Sequence, residues 1–215
     1  MPTATSLARA WLRDLRGGEF FFASEVPGRS DVVRPLLSRL AADGTSPVHR
    51  EMQGFYCKLW HEDDDFRPPF SDHVRGALKL AGPGGGGARL FALNRVGWSL
   101  QLPSRFDFAT LGRPPTSPWP RFGFSRRSNS RRSELSAGEV TLLEANRFFG
   151  QMESCPWSDA VRSIESGEVH ERLGLPRPTL RADAIRWAAQ AELNHPRVFH
   201  ERIGEVCDAL ARCAR

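Results

Sequence analysis

No stretch of about 18 consecutive apolar residues occurs in the chain, so no membrane-spanning helix is expected. The opening segment MPTATSLARAWLRDLR has no apolar core of the kind a secretion signal needs, and the expected location is the cytoplasm. The four cysteines, Cys57, Cys155, Cys207 and Cys213, form no CxxC pair, which argues against a zinc ribbon or a dithiol redox motif and for buried, reduced thiols. Lysine is almost missing: of 30 basic side chains only Lys58 and Lys79 are lysines. So dense an arginine usage fits a GC-rich genome as well as a need for guanidinium chemistry. A pI near 9.5 permits nucleic-acid binding without establishing it.

Catalytic signatures are missing as well. The six histidines, at 49, 61, 73, 170, 195 and 200, make no HExxH motif, and neither a GxSxG elbow, a kinase set nor a GK[ST] phosphate loop is present. Asp63-Asp64-Asp65 lacks the spaced oxygen ligands and terminal Glu of a calcium loop. Asp63 and Asp65 spell the D-x-D of a nucleotidyltransferase but lie in an acidic, proline-rich stretch without the Gly-Ser helix turn such enzymes use. The expectation is a non-enzyme with no cofactor and no metal. At 215 residues, 40% hydrophobic and 26% charged, the chain has an ordinary globular composition, and two domains are expected.

The organising stretch is residues 29–58. Ser30 is a good N-cap, and Val33, Leu36, Leu37 and Leu40 recur at helical spacing as one buried face. The opposite face carries Asp31, Arg34, Ser38 and Arg39, types that hydrogen-bond phosphates and base edges. Gly44 is the expected left-handed end of the helix, and Pro35 predicts an irregular first turn. VHREMQGFYC then reads as a two-stranded ribbon with Val48, Phe55 and Cys57 inward, Arg50 near the turn, and Gly54 at a reversal or bulge. Upstream, Leu7, Ala8, Trp11, Leu12 and Leu15 mark an amphipathic helix. Phe20 to Phe22 predict a short strand, with Ser24 capping a one-turn helix. Helix, strand, short helix, long helix and ribbon is the order of a winged helix-turn-helix. A small α+β module with a merely solvated basic face has the same composition. In the winged-helix reading, Arg29, Ser30, Asp31, Arg34, Ser38, Arg39 and Arg50 are the candidate DNA contacts.

After Trp60, HEDDDFRPPF over 61–70 is the expected linker. A helix is expected over 73–81, a flexible glycine tract at 82–87, a helix over 88–96, and strands at 105–111 and 121–125. The segment 61–133 carries 12 basic and 6 acidic side chains, against 8 and 6 in 1–60 and 10 and 13 in 134–215. Within it RRSNSRR places Arg126, Arg127, Arg131 and Arg132 on a loop or strand end. Contact with phosphate, contact with an acidic partner and plain solubility are all open to such a cluster. Ser136 and Glu139 form a capping box for a helix, and three more helices are expected at 157–164, 180–193 and 198–213, with Arg181, Arg186 and Glu192 away from the core.

Two passages resemble a known family. Leu36, Leu37, Arg39, Leu40 and Gly44 followed by Gly54 and Tyr56 resemble the N-terminal winged helix of the AbiEi-type antitoxins, and the passage from Ala92 to Pro103, ALNRVGWSLQLP, resembles a second, more specific family segment. Glu139-Val-Thr-Leu-Leu-Glu-Ala is similar to the helix after that family's sheet. The resemblance implies the antitoxin of a type IV toxin-antitoxin pair: a repressor that binds inverted repeats in operator DNA and counteracts a nucleotidyltransferase toxin. The expected fold class is accordingly α+β. A winged helix over 1–60 is followed by the linker 61–70 and an α+β domain over 71–215 with a small sheet and a helical end. A free-standing winged-helix regulator with a ligand- or partner-sensing C-terminal domain is the alternative, and an enzyme accessory subunit that never meets DNA is a third.

Overall fold

The computed structural model describes residues 3–60 and 68–214. The chain is mixed α+β with two small sheets and divides into two compact units, Met1–Lys79 and Leu80–Arg215. Among the described residues no helix is long and apolar enough to cross a membrane.

In the first unit α1 (Ala4–Asp14) starts where the Thr3 side chain accepts the Ser6 N–H at 3.2 Å. It ends where the Lys58 ammonium donates to the carbonyls of Arg13 at 2.7 Å and Leu15 at 2.5 Å, groups that the helix leaves without donors. The chain continues through β1 (Phe20–Phe22), a 3₁₀ turn (Ala23–Glu25), α2 (Ser30–Ala42), β2 (Val48–Met52) and β3 (Phe55–Lys58). The three strands pair antiparallel in the order β1-β3-β2. One face of this sheet presents Phe21 and Tyr56, stacked with centroids 5.7 Å apart, to a core of Ala8, Leu12, Val33, Leu36 and Leu37. On the other face Phe20 and Phe55 stack at 5.6 Å, and Phe20 meets His73 of α3 (Phe70–Ala81) at 6.3 Å. A strand covered on both faces loses the inward-outward alternation, which is why Tyr56 is buried together with Phe55 and Cys57. Burial, reinforced by the charges of Glu51 and Asp72, pushes the Cys57 thiol up to about 12, so it stays protonated at neutral pH.

Three local expectations are corrected. Ser30 is the first helical residue and Arg29 occupies the N-cap position without a side-chain cap. Closure of α2 falls on Asp43, whose carboxylate oxygen accepts both the backbone N–H (3.1 Å) and the hydroxyl (2.8 Å) of Thr45. An aspartate that makes its own turn removes the need for a left-handed glycine, and Gly44 has no positive φ. Ser24 lies within the 3₁₀ turn; the turn is instead closed by Glu25, which accepts the Phe22 N–H at 2.8 Å and pairs with Lys79. Pro35 does sit inside α2, yet the helix runs on to Ala42. In β2 the register slips between Arg50 and Met52, leaving Glu51 as a bulge before the Gln53-Gly54 reversal, where Gly54 has φ +79°.

Of the expected linker, residues 61–67 lie outside the described residues. The division between the units falls at Lys79/Leu80, inside α3, rather than within 61–70. The start of α3 belongs with the first unit because buried Asp72 accepts the Trp60 indole N–H at 2.9 Å and pairs with Arg75 at 2.5 Å.

In the second unit β4 (Gly86–Ala88), β5 (Phe106–Thr110) and β6 (Phe122–Arg126) form a sheet, β4 antiparallel and β6 parallel to β5. Helix α4 (Arg89–Arg95) follows β4, and α5 (Ala137–Phe148) crosses behind both. The helices α6 (Trp157–Glu165), α7 (Glu168–Leu173), α8 (Ala182–Ala189) and α9 (Arg197–Cys213) complete a core built on Leu142, Leu143, Ile164, Ile185 and Val206. The capping box at Ser136 and Glu139 forms as expected. Helix α8 stops at Ala189, four residues short of the expectation, and the chain turns so that Glu192 faces inward while Leu193 is exposed.

The glycine tract corrects the reading of 82–87 as a flexible connection. Gly86 and Gly87 are buried strand residues, and the Gly87 N–H donates to the Thr141 hydroxyl of α5 at 2.9 Å. A Cβ on Gly86 would lie 2.8 Å from the Ala137 carbonyl oxygen and 2.8 Å from the Val140 Cβ, so the missing side chain lets α5 lie directly on the strand. Replacing Gly86→Ala is therefore expected to destabilise the protein by about 1–3 kcal/mol through overpacking, measured by urea denaturation; an unchanged midpoint would show that α5 is free to shift.

Candidate functional site

The surface of α2 and the ribbon of β2 and β3 enclose a groove of about 860 Å³, lined among others by Phe22, Arg34, Ser38, Arg50, Gln53 and Tyr56. Its geometry follows from the sequence locally. Val33, Leu36 and Leu37 bury one side of α2, so Arg34 and Ser38, one turn apart, project on the other. The bulge at Glu51 twists the ribbon just beyond Arg50. Neither the Arg34 nor the Arg50 guanidinium has an ion-pair or hydrogen-bond partner among the described residues, so both present their full set of donors to solvent.

Of the seven residues expected to meet DNA, the structure brings Arg34, Ser38 and Arg50 around this groove. Arg29 and Asp31 instead pair with each other at 2.9 Å, 82% and 61% exposed, a surface bridge of little energetic weight that lowers the charge offered by the start of the helix. Ser30 is exposed in the first helical turn, and Arg39 points its Nε back to the Pro35 carbonyl at 3.4 Å rather than lining the groove. Gln53, at the ribbon tip, is a groove residue that the pattern of charges passed over; its place beside Gly54 was the available signal.

The arginines of RRSNSRR do not form one solvent-facing set. Arg132 is fully buried: its Nη1 donates to Glu144 Oε1 at 2.5 Å, while Nε and Nη2 both lie 2.8 Å from Glu192 Oε1. Only Nε has hydrogen-bonding geometry toward that oxygen. Arg127, 11% exposed, grips Glu144 with two parallel bonds of 2.9 and 2.7 Å. Arg131 lies over the Trp187 ring at 4.8 Å and donates to the Trp187 carbonyl at 2.9 Å. Arg126 alone of the four is exposed with its guanidinium unpartnered among the described residues. The cluster is drawn inward because Glu144 on α5 and Glu192 beyond α8 are buried carboxylates that must be compensated.

Burial by itself would raise the Glu144 carboxyl, but the hydrogen bond from Arg127 and the charges of Arg132 and Arg127 outweigh it and hold the group below its ordinary value. Glu192 is depressed in the same way, desolvation opposed by Arg132 and by Asn129, and Glu139 by its bonds to Arg181 and the Ser136 N–H. No group of three or more side chains suited to holding a metal ion occurs among the described residues.

Neither a protein-family model nor a curated protein sequence matches the chain. Among solved structures, the Rv2827c protein of Mycobacterium tuberculosis is similar over 98% of this chain and 78% of its own, at 14% identity and a TM-score of 0.37. A likeness at that level carries neither a fold assignment nor a function.

Two outcomes test the ion-pair core. Arg132→Ala is expected to cost about 3–5 kcal/mol in denaturant titrations because it strands buried carboxylates, whereas Arg126→Ala should stay within about 0.5 kcal/mol of the wild type. Since the folded-state pKa values of Glu139, Glu144 and Glu192 lie below the ordinary 4.5, their contribution to stability is complete above that pH and is lost as the pH falls through the folded-state values. Carboxyl-carbon NMR should show these three titrating below the other glutamates; titration among the rest would contradict the network.

Proposed function

We propose that residues 1–60 are a winged helix that binds duplex DNA, with α2 as the recognition helix and the ribbon of β2 and β3 as the wing. The observation that supports this is the groove between them, which carries two guanidiniums with no partner among the described residues, on a helix face and a strand that share one opening. A helix about 13 residues long fits the major groove, and the ribbon arginine is suited to the phosphate backbone beside it. On this reading Arg34 and Ser38 face base edges, Arg50 meets phosphate, and Gln53 at the wing tip adds a contact in the neighbouring groove.

In its fuller form the proposal is that the chain is the DNA-binding antitoxin of a type IV toxin-antitoxin pair, repressing its own operon through inverted repeats and counteracting a nucleotidyltransferase toxin. Support for the antitoxin half comes from the sequence resemblance over ALNRVGWSLQLP. That passage forms the end of α4 and an extended segment in which Leu100 and Leu102 are 89% and 84% exposed. The reading as a free-standing regulator is favoured by a different observation, a polar pocket in the second unit that a small ligand could fill.

A mobility-shift titration on the chain's own upstream region tests the DNA reading. Arg34→Ala is expected to cost about 1–3 kcal/mol if it reads a base, and Arg50→Ala to lower the slope of log affinity against log salt by about one unit. Arg39→Ala should cost less than Arg34→Ala. Unchanged affinity in the Arg34 and Arg50 variants would sink the assignment. Rescue of growth from a co-expressed nucleotidyltransferase encoded beside this gene tests the antitoxin half separately.

A further inference from the structure

The ion-pair cluster of the second unit carries more positive charge than it neutralises. Among the described residues Arg127, Arg132 and Arg147 form ion pairs with Glu144 and Glu192 alone, the more distant Asp107 being paired with Arg105, and Arg126 adds a fourth guanidinium at the edge, so four cations face two carboxylates. The surplus has a place. A pocket of about 140 Å³ opens between Arg126, Arg127, Arg147, Glu192, Asn194 and His195. Arg147, 25% exposed, comes no closer than 3.9 Å to Glu144 and 3.6 Å to Glu192, so its guanidinium makes no hydrogen bond among the described residues although it lies at the pocket wall. Burial above all, and then the charges of Arg127 and Arg132, hold its pKa below the ordinary value against the pull of Glu144 and Glu192, and an added anion at the pocket would favour its charged form. Glu192 is the one carboxylate in the lining, and it is already engaged by Arg132 and Asn129.

We infer that this pocket binds a phosphate-type oxyanion, held by Arg126 and Arg147, independently of any DNA contact by the first unit. A tetrahedral dianion matches both the surplus of two charges and the forked donors of guanidinium groups, which a planar monoanion does not. The space suits an ion of phosphate size, and the opening lets that ion be free or the terminal phosphate of a small metabolite.

Calorimetric titration of the full chain with inorganic phosphate, against sodium chloride at matched ionic strength, tests this. Saturable binding is expected, with a rise in melting temperature. Affinity should fall about tenfold in Arg126→Ala, a side chain with no partner among the described residues, and again in Arg147→Gln, while Arg113→Ala, exposed and outside the pocket, leaves it unchanged. A parallel titration with a nucleoside monophosphate separates the sources: tighter binding than inorganic phosphate assigns a metabolite's terminal phosphate, weaker binding the free ion. Equal heats with chloride, or full phosphate affinity in Arg126→Ala, would overturn the site. So would duplex DNA that displaces phosphate from the wild type, because the pocket would then belong to the nucleic-acid backbone.

Discussion

A carboxylate with no access to water governs the second unit. Glu144 lies in the middle of α5, where an apolar residue would have packed without penalty, and its desolvation is offset only because Arg127 and Arg132 reach it from the segment after β6. That requirement fixes the path of the chain from β6 into α5, and through Glu192 it fixes the turn that ends α8. The sheet, the central helix and the C-terminal helices are thereby tied by charge as well as by apolar packing. In the first unit the corresponding constraint is mainly apolar: a three-residue phenylalanine strand covered on both faces.

The contrast between the two sets of arginines is the main lesson about site assignment. Sequence density drew attention to 126–132, where four guanidiniums fall in seven residues, yet the structure makes three of them internal partners. The isolated Arg34 and Arg50 are both left open among the described residues, as Arg126 alone is within the cluster. What separates the two cases is whether a compensating acid lies in reach, and that depends on the tertiary fold.

Local signals were legible where the partner is close in sequence. The Ser136 to Glu139 box announced α5, the apolar spacing of Val33, Leu36 and Leu37 announced α2, and the strands expected at 105–111 and 121–125 form at Phe106–Thr110 and Phe122–Arg126. Signals failed where the partner is distant. Gly86 reads as a flexible residue until Ala137 and Val140 are laid against it, and Arg132 reads as surface until Glu192, 60 positions on, is turned toward it. Gly44 failed for another reason, since the neighbouring Asp43 and Thr45 supply the turn through their side chains. Of the proposed groove, the helix face was readable and the bulge that positions Arg50 was foreshadowed only by Gly54.

The scarcity of lysine has a consequence for control. Lys58 is committed to the end of α1 and Lys79 to Glu25, so both ammonium groups serve structural contacts. Among the described residues the open cations of the groove are guanidiniums, which are not substrates for acylation. Acetyl-donor supply therefore leaves its arginines unchanged, and ionic strength is a solution variable to which they respond.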